Sequence, residues 1–141
     1  MAVQRINRKP DYSDLDLDFI MHPTTKDVVK KTGVDAIKRS VRNLILTNFY
    51  DRPFRSYIGS NAQKILFDNI TPLTATFLKN AIIEVINNFE PRVILPDNYE
   101  QNQGVEVFVN PDNNGYNVKI TFIIVNTGTP ATINLFLERL R

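Results

Sequence analysis

The 141-residue chain has no cysteine, no tryptophan, one histidine and only five glycines. Without cysteine there is no disulfide, no thiol nucleophile and no thiolate-held metal, a composition that suits a reducing cytoplasm. His22 stands alone beside Pro23, so no second imidazole can complete a metal site with it. Serine–histidine–acid chemistry would also have to use His22, and no Gly-x-Ser-x-Gly elbow exists to carry the nucleophile. The glycines are scattered, so no loop is built to cradle a phosphate. No apolar run approaches the roughly 20 residues of a membrane span. Met1–Arg5 lacks the hydrophobic core of a secretory signal. An excess of one charge is missing too. Seventeen Lys and Arg against fifteen Asp and Glu leave a formal +2, too little to imply nucleic-acid binding. Neither cofactor, metal, nucleic acid nor membrane is an expected partner.

What is present is a composition 43% hydrophobic and 23% charged, that of an ordinary globular domain with a real core. Residues 1–30 read as an extended N-terminal arm and residues 31–141 as a single α+β domain. In the arm, Asp14, Asp16 and Asp18 alternate with Leu15, Leu17 and Phe19, which predicts a strand with its apolar face buried. Three helices are expected next. Asp35 to Asn48 carries Ile37, Val41, Leu44 and Ile45 on one face and Lys38, Arg39 and Arg42 on the other. A short helix opens near Gly59-Ser60-Asn61, with Ile65, Leu66 and Phe67 supplying apolar contacts. Thr71-Pro72 caps a third, running to about Phe89, in which Leu73, Phe77, Ala81, Val85 and Phe89 recur every four residues. The rest alternates as β: Val105–Val109, then Tyr116–Val125, then Ile133, Leu135 and Leu137. Turn-rich Asn110–Gly115 and Thr127–Pro130 separate these segments. Helices followed by strands predict an antiparallel sheet with the helices packed on it.

The junction Glu90-Pro91-Arg92 concentrates the chemistry. Proline disfavours helical geometry in the residue before it, so Glu90 falls at the end of the third helix. A carboxylate there meets the negative pole of the helix dipole. Arg92, two residues on in an extended segment, shares its side of the chain and can hold it. A glycosidase reading would pair Glu90 with Glu84 as two acids flanking a sugar. The two lie six residues apart on different helix faces, and no tryptophan marks a sugar groove. Lys38, Arg39 and Arg42 read as a solvated helix face, or else as a dock for an acidic partner.

Several stretches resemble the baseplate wedge proteins that initiate sheath assembly in contractile-tailed bacteriophages, in particular those of T4-like myoviruses. They are Asp14–Phe19, Ala36–Ile45, Arg52-Pro53-Phe54, Ile58–Asn61 and Asn88–Val93, in that order over about residues 12 to 125. Related proteins occur in contractile injection systems, including the type VI secretion baseplate. The resemblance implies a virion component without enzymatic activity, although the family has also been labelled lysozyme-like, which leaves a peptidoglycan-degrading enzyme as the alternative. It implies a sheet like the inner domain of the tail sheath subunit, and a place around the tail tube in about six copies per baseplate. It implies that Glu90, Pro91 and Arg92 contact the core bundle of the wedge. By the same resemblance, a sheet edge receives a terminal strand of the sheath subunit; the alternating Ile133, Leu135 and Leu137, or else the extended N-terminal arm, mark the candidate edge.

Overall fold

The computed structural model describes residues 12–16, 18–96 and 104–140. The chain forms two compact units, Met1–Ile37 and Lys38–Arg141.

In the first unit, β1 (Ser13–Leu15) pairs antiparallel with β2 (Lys30–Thr32), Ser13 opposite Thr32. The expected burial of the alternating segment holds only in that Asp14 and Asp18 are exposed. Leu15 and Phe19 are exposed, whereas Asp16 is buried. The strand is only three residues long, and a turn follows in which Phe19 N–H donates to the Asp16 carbonyl with Phe19 at positive φ. A two-residue period has no meaning outside an extended strand. The Asp16 carboxylate is held by the Lys31 ammonium at 3.4 Å and the Asp18 N–H at 3.3 Å. Leu17 and residues 1–11 of the expected arm lie outside the described residues.

The boundary between units falls within α1 (Gly33–Leu46). In the second unit Val41, Leu44 and Ile45 of α1 are buried, as their spacing predicts. α2 is a single turn (Ala62–Ile65); Leu66 behind it is buried, but Phe67 is exposed, contrary to expectation. α3 (Pro72–Phe89) starts where Thr71 accepts from the Thr74 N–H, with Pro72 in the first turn. Thr71→Ala removes that cap and is expected to cost about 1 kcal/mol, read by urea unfolding.

The buried face of α3 is Thr74, Ala75, Leu78, Ile82, Val85 and Ile86; Leu73 and Phe77 face solvent. A stripe that repeats every four residues drifts about 40° per step around a helix of 3.6 residues per turn. Over four steps it leaves the core, so the every-four pattern misplaced the first half of the helix. α3 packs on α2 and on the sheet.

That sheet is built around β5 (Gly115–Ile124). On one side β5 pairs with β4 (Val105–Asn110) and, near its end, with β3 (Val93–Ile94). On the other it pairs along its length with β6 (Pro130–Glu138). All pairs are antiparallel, and the two hairpins fall at the predicted turns. The inner face is apolar: Val118, Ile120, Phe122 and Ile124 of β5 and Ile133, Leu135 and Leu137 of β6 are buried. The fold is α+β, with α3 packed on an antiparallel sheet.

Candidate functional site

Glu90 ends α3, its N–H donating to the Ile86 carbonyl, and only 4% of its surface is exposed. Arg92 lies in the turn that leads into β3, not in the extended segment itself as expected, and its guanidinium sits beside Glu90. Arg92 Nε donates to Glu90 Oε1 at 2.5 Å and Nη2 donates to Oε2 at 2.8 Å, a two-pronged fork. Ser40, on α1, completes the cluster: its hydroxyl donates to Glu90 Oε2 at 2.7 Å and accepts from Arg92 Nη2 at 2.8 Å. The ionic corner foreseen at the Glu-Pro-Arg junction is therefore a three-residue cluster joining α1, the end of α3 and the turn before β3. Burial alone would push the Glu90 carboxyl up. The hydrogen bonds from Arg92 and Ser40, and the Arg92 charge, outweigh it and hold the group below its ordinary value. Ser40 had no sequence signal of its own, lying fifty residues away within an unremarkable helix face.

The surface this corner presents is narrow. Pro91 is exposed and Arg92 half-buried, while Glu90 lies behind them.

Glu84 is elsewhere. It is exposed on α3 and lines a cleft of about 220 Å³ with Phe49, Asn61 and Asn88. Among the described residues it is the one carboxylate in that lining, which does not include Glu90. Two acids across a sugar are not assembled there. Among the described residues, no group of three or more His, Cys, Asp or Glu is gathered for a metal, and His22 lies in the first unit, where its Nδ1 accepts from the Thr24 and Thr25 N–H groups. No described helix is long and apolar enough to cross a membrane.

Ile133, Leu135 and Leu137 are buried in the sheet's inner face, so their side chains offer nothing to a partner. The backbone of the same strand does. Ile124 N–H donates to the Thr129 carbonyl and Arg139 N–H to the Asn114 carbonyl at the two ends of the β5–β6 ladder. With the observed register, Ala131, Ile133, Leu135 and Leu137 direct their backbone groups at β5, and Thr132, Asn134, Phe136 and Glu138 direct theirs away from it. Among the described residues no strand pairs with that second side.

No protein-family model matches this sequence. Over 82 residues, 58% of the chain, it is 38% identical to baseplate wedge protein gp25 of Enterobacteria phage T4, and it spans 61% of that protein's length. The resemblance drawn from the ordered motifs is thus borne out in sequence. In structure it is similar to a Geobacter sulfurreducens protein provisionally named a tail lysozyme, with a TM-score of 0.66, 18% identity, and coverage of 76% of this chain and 91% of that one. It is also similar to a chain of the anti-feeding prophage baseplate, with a TM-score of 0.55 and 19% identity over 93% of this chain and 88% of that one. At such identities the two structures speak for the α+β fold alone.

Proposed function

We propose that this chain is a structural component of the baseplate wedge in a contractile phage tail, made in the host cytoplasm and carried in the virion. The observation that carries the reading is the 38% identity to a baseplate wedge protein over 82 residues. In this reading the Glu90–Pro91–Arg92 corner docks on the core bundle of neighbouring wedge proteins. Pro91 and the outer edge of Arg92 make the contact, and buried Glu90 fixes the arginine from behind. The sheet, as a counterpart of the sheath subunit's inner domain, lends the outward edge of β6 to a strand of the first sheath subunits. Strand addition supplies repeated main-chain hydrogen bonds in a fixed register, which suits a template for a polymer. About six copies around the tail tube multiply individually weak contacts through effective concentration.

The chain acts here without catalysis. A glycosidase's general acid needs a carboxyl held above its ordinary value, and Glu90 is held below it by a fixed cation. Glu84 has no second acid beside it among the described residues of its cleft. Purified protein is expected to leave peptidoglycan intact; clearing that is lost in Glu84→Gln or Glu90→Gln would overturn the structural reading. The positive test is co-sedimentation with the sheath subunit of the same phage, with and without preassembled wedges. Sheath rings that form only on wedges containing this protein support the proposal; rings that form equally on wedges lacking it contradict it.

A further inference from the structure

We propose that the groove between the 49–57 loop and α2 is a docking site for an acidic segment of another protein, seated by one apolar side chain. The inference stands apart from the baseplate reading.

The loop is held in place by its own backbone. Ser60 N–H donates to the Thr47 carbonyl, Tyr50 N–H to the Ser56 carbonyl and Ile58 N–H to the Arg55 carbonyl, while the Asp51 carboxylate accepts from the Asn48 N–H at 2.8 Å. Gly59 seals its base, because a Cβ there would come within 2.4 Å of the Asn48 carbonyl carbon. Yet this anchored loop points its rings at solvent. Tyr50 is 84% exposed and Phe54 fully so, and both occupy positive φ, a conformation aromatic residues rarely adopt. Rigid, outward aromatics beside arginines are the side chains that dominate protein–protein contacts, and here Arg52 and Arg55 flank Phe54.

Beside the loop lies an open groove of about 650 Å³. Phe49, Tyr50 and Phe67 form its apolar walls, and its polar lining includes Asn61, Gln63 and Lys64. Among the described residues no carboxylate lines it, and Lys64 is the one charged group in its lining. Apolar walls call for an apolar anchor, side-chain amides can bond to a peptide backbone, and Lys64, with no carboxylate among the described lining residues, calls for an acidic partner. A single-stranded nucleic acid also uses aromatics and cations, but it needs a continuous basic track. Asp51 interrupts the loop's cations, and Asp68 follows directly on Phe67.

The test is an amide-resolved NMR titration at low salt with a nine-residue peptide carrying one phenylalanine among glutamates. The control peptide has lysines in place of the glutamates. Shifts are expected to be confined to residues 48–67, with affinity at least about tenfold weaker for the lysine peptide, for Lys64→Glu and for Phe67→Ala. Both positions are exposed, and thermal melting checks that the variants stay folded. The proposal is overturned by no shift at millimolar peptide, by equal binding of both peptides, or by preference for a thymidine oligomer. Concentration-dependent self-association that Phe67→Ala abolishes would assign the groove to a second copy of the chain and overturn it as well.

Discussion

Arg92→Ala is expected to lower the unfolding free energy by about 2–3 kcal/mol. Removing one partner of a fully buried ion pair costs about 3–5 kcal/mol, because the other charge is stranded. Arg92 is 29% exposed, so water reaches part of the site and the lower figure applies. The variant keeps Glu90 buried with the Ser40 hydroxyl and the backbone N–H of residue 92 facing it, and no cation. Arg92→Lys should recover part of the loss, since a single ammonium restores the charge but not the fork. Urea unfolding of the three proteins reads the series. A loss under about 0.5 kcal/mol in Arg92→Ala would mean the corner contributes little to the fold.

The same cluster sets a pH dependence. The Glu90 carboxyl is lower in the folded protein than in the unfolded chain, where it titrates near roughly 4.3. Its contribution is therefore fully present above that value and is lost as pH falls through the lower folded value. The stability gap between the wild type and Glu90→Gln should be constant from neutrality down to about pH 5 and should narrow below about pH 4. A gap that widened on acidification would reverse the assigned direction.

How far the sequence foretold this arrangement depended on whether the signal was local. The Glu90–Arg92 pair spans two residues and a proline that fixes the chain direction, so it could be read directly. Ser40 joins them only through the packing of α1, which no spacing encodes. The sheet was legible because every second residue of β5 and β6 is apolar, which places Phe122 and Leu135 inside despite the outward Ile123 and Phe136. Periodicity misled where its premise failed. The strand ends at Leu15, so the alternation does not extend to Asp16 and Phe19, the first buried and the second exposed; the every-four stripe on α3 is not a helical period, so Phe77 is exposed. The grooved face around Phe49 and Phe67 left no pattern at all, because it is made by a loop closing on itself.

The second large effect concerns β6. Asn134→Pro removes an N–H that points away from β5, and its side chain is exposed, so the ladder to Lys119 and its neighbours is kept. Proline is tolerated on the outward side of an edge strand and cannot donate to an added strand. The folded protein should still enter wedges, yet the fraction of baseplates bearing sheath, counted by electron microscopy, should fall by at least tenfold. Leu135→Pro would not serve, because Leu135 bonds inward to Val118 and its loss breaks the sheet itself. Sheath at wild-type frequency on Asn134→Pro baseplates would move the docking edge elsewhere.

The most direct measurement is amide hydrogen exchange along β6 in wedge-bound protein, before and after sheath subunits are added. The account predicts that the outward amides of Thr132, Asn134, Phe136 and Glu138 become strongly protected, while those of Ile133 and Leu135, already bonded to β5, change little. Sheath that assembles while the outward amides keep exchanging as before would contradict strand addition at this edge.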